Sequence, residues 1–512
     1  MAPEPPLAES PTVKTAVPTE IQTHASAAVQ PHRLAANFAY LSAGEMAAKL
    51  LTFASFSYLA RTLGPANYGL VEFTLDVMTF FTMPADMGLS WYGAREIARN
   101  PSRADRLLHE IVGLKVLLTL CSMTTLFIFI LVIHKSFELK ALLSLYDLSL
   151  LSLPFFLMWF FQAYDRMAWV GLASIVRQVG FAGLVFLLCH GPSSLIFVGV
   201  AECISVSGVV VFCLWLSRTR LRAPWPTPDL HPSHIIGHLR EAAPIGLTEL
   251  AWTCMLNFCT VLLGFLFPDK TLGWFGGAHH ALMALHTFVY LYFFNLLPSI
   301  ARCVALPHEY LLQLMDRSVR FTAWTGLFGA GLLTALAPQV MVILYGKQFR
   351  PAASSFEILV WMLPVSMLSG HHRFTLIAYG RQKQLMVCTF ISAAAVMICG
   401  VILIPLFGGP GAAYALLIAV TVNFALVYFA VRRLVLDVPV TPQVSAPLIA
   451  LAFATGIYLA LARWNMLIAL AAGCALYLGI LARTDGALLV SFARTILRNA
   501  GSGKVLEDTS SV

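Results

Sequence analysis

The chain has 512 residues, of which 59% are hydrophobic and 11% charged, and its mean hydropathy is +0.78. A soluble domain carries roughly 25% charged residues, so this chain has too few charges to cover a water-facing surface. Apolar stretches of about 20 residues recur along it, without the ten-residue alternation of a membrane barrel, and they predict an all-α polytopic membrane protein.

The predicted elements in chain order form two lobes and an appended helix pair. A Pro-, Ala- and Thr-rich start without the apolar run of a signal peptide predicts a disordered tail. The predicted units are this tail (1–33), a six-helix lobe (34–217), a polar linker that is extended before a short helix (218–240), a second six-helix lobe (241–435), a helix pair (436–482) and a second tail (483–512). The predicted spans, about fourteen transmembrane helices, are 35–60, 69–92, 107–134, 141–163, 168–190, 194–217, 241–267, 275–301, 318–345, 353–378, 383–405, 411–434, 443–462 and 464–482.

Lys and Arg are unevenly distributed among the connections between these spans. Most of them fall on the side that also carries the N-terminus, with clusters at 95–106, 218–222 and 432–433. The positive-inside rule therefore predicts that both ends of the chain are cytoplasmic. The net charge of +8 is accordingly a topology signal, and we predict no nucleic-acid partner.

Short sequence pairs recur in the two lobes in the same order. Tyr68-Gly69 precedes Ala94-Arg95, as Phe275-Gly276 precedes Ala301-Arg302, and "AYDR" at 163–166 matches "AYGR" at 378–381. Because the repeated unit has an even number of spans, both copies enter the membrane from the same side and form a parallel repeat. Two such lobes with a cleft between them favour transport by alternating access. Tyr68 itself is predicted to lie at the outer membrane interface.

Ionisable residues inside predicted spans mark a pathway or a buried pair. Glu45 and Lys49 lie four apart on one helix face, so they either pair with each other or face a cavity. Arg177 either faces a cavity, where its guanidinium suits phosphate oxygens, or pairs with Glu202. The candidate substrate-binding residues are Arg177, Lys49, Arg373, Glu45 and Glu249, with Arg373 and Lys115 near enough to the cytoplasmic side to reach it along their stems.

A second set of acidic residues is a candidate for ion coupling. Glu72 and Asp76 are four apart with like charge, which raises one pKa and suits a carboxylate that binds and releases a cation or proton. The alternative is that Glu72 lies at the outer interface. The candidates are Asp76, Glu72, Glu202 and Glu357, whereas Asp86 is predicted to cap a helix or pair with Arg95.

Cysteines and histidines carry no catalytic or metal signature. The ten cysteines are scattered through apolar runs without a C-x-x-C pair, so we interpret them as packing residues. His279, His280, His286, His371 and His372 are interpreted as polar packing between helices, with a proton-responsive cavity as the alternative. The spacing of His231, His234 and His238 is compatible with a metal site, but without neighbouring cysteine or carboxylate ligands we predict no metal and no cofactor.

Several stretches resemble the polysaccharide-flippase branch of the multidrug/oligosaccharidyl-lipid/polysaccharide exporter superfamily. They are "ARTLGPANYGLVEF", "DMGLSWYGAREIARN", "GWFGGAHHALMALHTF", "LYGKQFRPAASSFEILVWMLP" and "AYGRQKQLMVCTFISAAAVMICGVILIPLFGGPGAAYALLIAVTVNFAL". The resemblance covers roughly 35–435 and consists of patterns at helix borders.

The resemblance implies two six-helix lobes around a central cationic cavity in a bacterial cytoplasmic membrane. It implies a flippase, not an enzyme, that moves polyprenyl-pyrophosphate-linked oligosaccharide to the outer leaflet, with energy from H⁺, Na⁺ or the membrane potential. Polysaccharide polymerase and assembly proteins would be its partners. The last helix pair could hold the lipid tail, as in lipid II flippases. A multidrug antiporter of the same fold and a membrane glycosyltransferase or polymerase remain alternatives.

Overall fold

The computed structural model describes residues 31–304, 306–437 and 440–501, and within these ranges every regular element is a helix. Pro31–Asp86 is one continuous stretch bent at Gly64, which we divide into α1 (31–63) and α2 (65–86). The remaining helices are α3 (Leu89–Arg99), α4 (Ala104–Val132), α5 (Phe137–Leu150), α6 (Met158–Ala163), α7 (Met167–Leu188), α8 (Leu195–Arg220), α9 (Pro232–Leu266), α10 (Asp269–Cys303), α11 (His308–Ala335), α12 (Ala337–Tyr345), α13 (Ala353–Leu359), α14 (Met362–Ala378), α15 (Gln382–Phe407), α16 (Gly409–Leu434), α17 (Thr441–Leu461) and α18 (Met466–Gly501).

The first two predicted spans are confirmed as helices, but their borders differ from the prediction. Gly64, at φ 75° and ψ 169°, provides the left-handed backbone that turns α1 into α2, and Pro65 then begins the new helix. The second span ends at Asp86 rather than at 92, because Met87 and Gly88 also have positive φ. Residues 89–99 form the separate helix α3, which buries Leu89, Tyr92 and Ile97.

Three predicted spans are broken helices. The predicted span 141–163 is divided into α5 and α6 around a 3₁₀ turn that contains Pro154, and 353–378 is divided into α13 and α14. The predicted span 318–345 consists of α11 and α12, which meet at an angle of 75°. Proline lacks the N–H that would continue the helical hydrogen bonds, so the turns at Pro154 and at Pro338, in the first turn of α12, interrupt the helix.

The linker and the last helix differ from the prediction in where their helices begin and end. The chain is irregular at 222–231, and the short helix expected in the linker is the beginning of α9. The last predicted span, 464–482, extends as α18 to Gly501, with a non-helical residue at Asp485. Residues 1–30 of the first predicted tail and 502–512 of the second lie outside the described residues.

Ten helical segments of the described residues are long and apolar enough to cross a membrane, and the bent α11–α12 pair is an eleventh. They comprise α4, α5 with α6, α7, α8, α9, α13 with α14, α15, α16, α17 and α18. The predicted spans 35–60, 69–92 and 275–301, which are not among these segments, fall on the helices α1, α2 with α3, and α10. The all-α polytopic fold class is therefore confirmed.

The helices pack into two lobes in chain order. In the first, the α1–α2 stretch packs against α7, α4 and α5, and α8 packs against α5 and α7. In the second, α15 and α16 pack against each other and against α9, and α14 packs against α16, α10 and α11. The lobes meet where α1 and α2 contact α9 and α10, and the α17–α18 pair packs on α11.

The repeat detected in the sequence is also a structural repeat. In "AYDR" the N–H groups of Arg166 and Asp165 donate to the carbonyls of Phe161 and Gln162, at 3.0 and 3.0 Å. In "AYGR" the N–H groups of Arg381 and Gly380 donate to the carbonyls of Leu376 and Ile377, at 2.8 and 3.0 Å. Both are the six-to-one and five-to-two hydrogen bonds of a Schellman motif, with Asp165 and Gly380 at positive φ. Each lobe therefore ends its fourth span with the same turn.

Candidate functional site

The two lobes touch through glycines at both ends of their interface. At the Gly64 end, a Cβ on Gly273 would lie 1.8 Å from the Pro65 carbonyl oxygen, and one on Gly69 would lie 2.0 Å from the Asp269 oxygen. At the opposite end, beside α3, a Cβ on Gly246 would lie 2.5 Å from the Met87 carbonyl carbon. Since a side chain at these glycines would overlap backbone, the helices of the two lobes are in direct contact at the Gly64 end and at the α3 end.

At the Gly64 end, side chains of α1 bind the carboxyl end of α12. The Arg61 guanidinium donates to the carbonyl oxygens of Ile343 and Leu344, and the Ser57 hydroxyl also donates to that of Leu344. Because α12 ends at Tyr345, no following helical turn supplies N–H donors for these carbonyls, and the arginine caps the helix instead.

Tyr68 is fully buried between the lobes, next to the rings of Tyr345 and Phe349, with ring centroids 6.5 and 5.7 Å away. The expectation that Tyr68 lies at the membrane interface was wrong, because α10 and the segment after α12 cover it.

Between the two ends, Glu72 of α2 faces His280 of α10. The His280 Nδ1 atom is 2.9 Å from Glu72 Oε1 and 3.2 Å from Oε2, and Glu72 is only 2% exposed. The imidazole stacks on Phe56 of α1 at 4.5 Å between ring centroids. Glu72 is therefore buried between the lobes rather than at an outer interface. Gly276 makes this approach possible, because a Cβ there would lie 2.4 Å from Glu72 Cγ.

Asp76 lies one helical turn beyond Glu72 and has a buried oxygen, Oδ2, without a hydrogen-bond partner among the described residues. The like-charged spacing was visible in the sequence, but His280 was interpreted as packing and its contact with Glu72 was not predicted. The sequence signal that could have identified His280 is its position shortly after Phe275-Gly276, which is the second-lobe counterpart of Tyr68-Gly69.

A cavity of about 400 Å³ lies beside His280, between α1 of the first lobe and α10 to α13 of the second. Its lining is mainly apolar, and its charged or titratable members are Lys49 and His280. The other lining residues are Met46, Leu50, Thr52, Phe53, Ala281, Met283, Ala284, Leu285, Thr287, Phe288, Leu333, Val340, Leu344 and Phe356.

Lys49 is exposed to this cavity, and no ion pair joins it to a carboxylate among the described residues. The alternative in which Glu45 neutralises it is not what the structure shows. Glu45 instead accepts a hydrogen bond of 2.7 Å from the Ser174 hydroxyl of α7. Of the predicted substrate-binding residues, Lys49 is thus the one that lines the cavity as an uncompensated cation.

Arg177 pairs with Glu202 inside the first lobe. Its NH2 atom is 2.6 Å from Glu202 Oε1, and the side chain of Arg177 is 42% exposed, against 13% for Glu202. Of the two alternatives, the structure therefore shows the pair with Glu202, which occupies one edge of the Arg177 guanidinium. An arginine presents five N–H donors, so the exposed edge retains donors that can bind another anion.

Arg373 lies in the second lobe, with its guanidinium carbon 4.6 Å from the centre of the Trp252 ring. Its Nε atom is buried without a hydrogen-bond partner among the described residues. Glu249, one turn before Trp252 on α9, is exposed and forms no ion pair within 4.0 Å there. Neither residue lines the cavity that contains Lys49.

Asp86 and Lys115 form a buried ion pair that the sequence analysis did not predict. Lys115 is 1% exposed, and its Nζ lies 2.7 Å from Asp86 Oδ1 and 2.8 Å from the Ser90 hydroxyl. Asp86 therefore does not pair with Arg95, and Lys115 does not extend to the surface. The reason is the bend at 87–88, which directs the start of α3 towards α4.

A second cavity of about 490 Å³ separates the α17–α18 pair from the second lobe. Aromatic side chains line it on both sides, including Trp361 of the lobe and Tyr458 and Tyr477 of the pair. Glu357, which is half-buried, is its one acidic lining residue. Glu357 thus lines this second cavity and not the one beside His280.

Two curated proteins resemble the chain in sequence. The first is named putative O-antigen transporter of Escherichia coli strain K12 and is 21% identical over 253 residues, which cover 48% of this chain and 59% of that protein. The second carries the same name in Shigella dysenteriae and is 23% identical over 341 residues, 65% of this chain and 84% of the relative. The chain thus spans about three fifths of the Escherichia coli relative.

Solved structures share the fold at low sequence identity. The lipid II flippase MurJ in an inward closed conformation has a TM-score of 0.68 at 15% identity, covering 88% of this chain and 99% of that one. An inward-facing multidrug resistance MATE family transporter of the MOP superfamily has a TM-score of 0.57 at 14% identity, covering 75% and 94%.

A protein-family model with the description "polysaccharide biosynthesis protein" matches residues 34–304 of the chain. That match spans the whole first lobe, the linker and both interface helices of the second lobe, α9 and α10. Because it includes more than half of the chain, and because the fold is that of MOP-superfamily transporters, the protein belongs to the polysaccharide biosynthesis protein family.

Proposed function

We propose that the protein flips a polyprenyl-pyrophosphate-linked oligosaccharide from the cytoplasmic to the outer leaflet of a bacterial cytoplasmic membrane. The α3 end, where the basic connections gather, would face the cytoplasm, and the Gly64 end the outside. Flipping would proceed by alternating access, in which the α3 and Gly64 ends open in turn. The chain would act as a transporter, with polymerase and assembly proteins as later partners.

The observation that carries the proposal is the exposed, unpaired Lys49 in the cavity between the lobes. A pyrophosphate diester is a compact anion, and an ammonium group in a mainly apolar cavity attracts it more strongly than one in water. The cavity lies between α1 and the helices of the second lobe, so its shape changes when the lobes move. Lys49 is therefore placed to bind the headgroup in one state and release it in the other.

The Lys49 role predicts a charge-specific defect. Lys49→Ala should lower the export of surface polysaccharide at least tenfold, and Lys49→Arg should retain most of it. Lys383→Ala, at an exposed position that does not line the cavity, is the matched control. Full export by Lys49→Ala at an unchanged protein level in the membrane would contradict the proposed contact.

Arg177 would contribute through its exposed edge, while Glu202 holds the opposite edge. Arg177→Ala should abolish export and leave the protein level in the membrane intact, provided that the protein still folds with Glu202 unpaired. The double variant Arg177→Ala/Glu202→Gln removes that unpaired charge. If the double variant regains export, Arg177 is a packing residue and not a substrate contact.

The second cavity would hold the isoprenoid tail beside the lobes. Its apolar and aromatic lining suits a hydrocarbon chain, and its position between α11 to α13 and the α17–α18 pair would put the isoprenoid at the side of the second lobe. The oligosaccharide would cross between the lobes while its tail stays in contact with the bilayer.

Ion coupling would act through the buried acidic residues between the lobes. Glu72 of the first lobe contacts His280 of the second, and Asp76 lies one turn away. A proton or Na⁺ that binds these carboxylates would alter the contact of Glu72 with His280 and so the stability of the closed interface. Glu202 and Glu357 are weaker candidates. Glu202 is already paired with Arg177, and Glu357 lines the second cavity, between the second lobe and the α17–α18 pair.

Deletion of the gene tests the function itself. The expected result is lipid-linked glycan trapped on the cytoplasmic leaflet, with reduced surface polysaccharide and unchanged dye efflux. Normal surface polysaccharide with reduced dye efflux would favour the multidrug antiporter. Normal lipid-linked glycan that fails to elongate would favour a glycosyltransferase or polymerase.

A further inference from the structure

A cluster of carboxylate and imidazole groups lies at the α3 end, apart from the cavities. Glu110 belongs to α4 of the first lobe, Asp229 to the linker, and His234 to the first turn of α9 in the second lobe. One ligand atom from each lies within 4.8 Å of the other two. Glu110 is far from the other two residues in sequence, and the start of α9 lies between Asp229 and His234. The fold therefore brings the three side chains together.

The linker is fixed at this place by its own backbone. The Asp229 N–H donates to the His109 carbonyl at 3.1 Å, and the Thr227 N–H donates to His109 Nδ1 at 3.1 Å. Gly113 allows the approach, because a Cβ there would lie 2.1 Å from the Asp229 oxygen. The Asp229 side chain is thus held beside Glu110 rather than carried by a free linker.

The distances between the candidate ligand atoms suit a small divalent ion. His234 Nδ1 lies 3.2 Å from Glu110 Oε1 and 3.3 Å from Asp229 Oδ2. In a tetrahedral zinc site with bonds of about 2.0–2.1 Å, neighbouring ligand atoms are about 3.3 Å apart. The His231 N–H donates to Asp229 Oδ1 at 3.0 Å, so the other oxygen, Oδ2, is the one that faces His234.

Glu110 is supported from outside the cluster by a chain of hydrogen bonds. Burial raises the pKa of Tyr92 to about 12, so its hydroxyl keeps its proton and donates to His238 Nδ1 at 2.9 Å. The Nε2–H of His238 then donates to Glu110 Oε2 at 2.8 Å. Such an outer partner orients a metal-binding carboxylate, and the other oxygen of Glu110, Oε1, faces His234 and Arg106.

Arg106 is the cation that this cluster already contacts. Its Nε lies 2.6 Å from Glu110 Oε1, and its NH2 lies 3.0 Å from His234 Nε2. Because that NH2 donates to Nε2, the proton of His234 is on Nδ1, between the two carboxylates. A metal ion at Nδ1 would bind the other neutral tautomer, in which the proton is on Nε2, and Arg106, whose side chain is 68% exposed, would turn away from Nε2 into solvent.

We propose that Glu110, Asp229 and His234 bind a divalent transition-metal ion of the zinc class, with water in the fourth position. The ion would join α4, the linker and α9, and would thereby hold the two lobes together at the α3 end. Metal binding would slow the opening of this end. The inference does not depend on the identity of the transported substrate.

The test is a titration of the purified full-length protein in detergent with Zn²⁺ and, for the spectrum, with Co²⁺. We expect one equivalent of tight binding and visible Co²⁺ bands of a tetrahedral site. Asp229→Asn and His234→Ala should each weaken binding at least tenfold, whereas His308→Ala, at an exposed histidine of α11, should not. Asp229 lies in the linker outside the helices, so its variant keeps the test valid if His234→Ala does not fold.

Two results would overturn the proposal. One is the absence of binding above that of the chain carrying Asp229→Asn and His234→Ala together. The other is tight binding that neither single substitution weakens. Arg106→Gln adds a directional test, because loss of the competing cation should raise the Zn²⁺ affinity; a lower affinity would mean that the guanidinium supports the cluster rather than competes with the ion.

Discussion

The two ends of the interface between the lobes are built from different interactions. At the Gly64 end, Gly69 and Gly273 bring backbone against backbone, and the side-chain contacts are hydrogen bonds to carbonyls of α12. At the α3 end, glycine contact is combined with a network of imidazole, carboxylate and phenol groups around Glu110 and His238. Both ends therefore combine close backbone contact with hydrogen bonds, and the Gly64 end also includes the Lys135–Asp269 ion pair at 3.7 Å. The difference is that titratable side chains bond to one another in a network at the α3 end, whereas at the Gly64 end side chains bond mainly to backbone carbonyls.

The largest effect is expected from a side chain at the Gly64 end. Gly273→Leu should reduce export to background, because its Cβ would overlap the Pro65 carbonyl and force α2 and α10 apart. Gly329→Leu in α11 is the control, since nothing lies within 4 Å of a Cβ at that position. Surface polysaccharide and membrane protein level are measured together. Normal export by Gly273→Leu would show that this end does not need close contact.

The next effect concerns the buried ion pair at the α3 end. Lys115→Met leaves Asp86 without its partner, and breaking a buried pair costs about 3–5 kcal/mol. We expect a clear loss of thermal stability in detergent. Lys115→Met/Asp86→Asn should recover much of it, because no charge remains unpaired. Equal stability of the single variant and the native chain would mean that Asp86 is solvated in the protein.

A smaller effect is expected for the central contact between Glu72 and His280. Glu72→Gln keeps the shape but removes the charge that His280 faces. Export should become less dependent on the ion gradient, with a several-fold lower rate at the normal gradient. The readout is export with and without an uncoupler. An unchanged response to the uncoupler would place ion coupling elsewhere in the protein.

The smallest effects are expected from substitutions that remove the hydrogen bonds of one side chain at one end of the interface. Tyr92→Phe removes the donor to His238, and Arg61→Ala removes the exposed cap of α12. Each loss is about 1 kcal/mol. The measurement uses a pair of cysteines introduced across each end of the interface. The rate of cross-linking should fall only at the end that carries the substitution. Equal slowing at both ends would show that the ends are coupled and not separate.

The sequence predicted the fold class well because membrane burial imposes long apolar helices. The repeat was also readable, since "AYDR" and "AYGR" form the same backbone turn. Helix breaks were not predicted, because hydropathy over a window of about 19 residues is insensitive to one proline or one positive φ. Met87 and Gly88 are the clearest case, and their bend is what brings Asp86 to Lys115.

The candidate site was predicted less completely, because its contacts join residues that are far apart in the chain. Lys49, Glu72 and Asp76 were selected as charges in apolar spans, and they lie at the interface of the lobes. His280 carried no distinguishing local pattern, so its contact with Glu72 required the fold. The histidines of the linker were set aside for lack of carboxylates, although Asp229 is adjacent to them and Glu110 approaches only through α4.

The helix α12 makes the two lobes unequal. The segment from Arg302 to Arg381 is eight residues longer than its counterpart from Arg95 to Arg166, and it contains α12 and a 3₁₀ segment where the first lobe has the irregular residues 133–136 between α4 and α5. Arg61 caps this helix, and Gln348 in the 3₁₀ segment accepts from the Trp274 indole at 2.9 Å. Under the proposed alternating access, opening of the Gly64 end would break the bonds between Arg61 and α12, whereas opening of the α3 end would leave them intact.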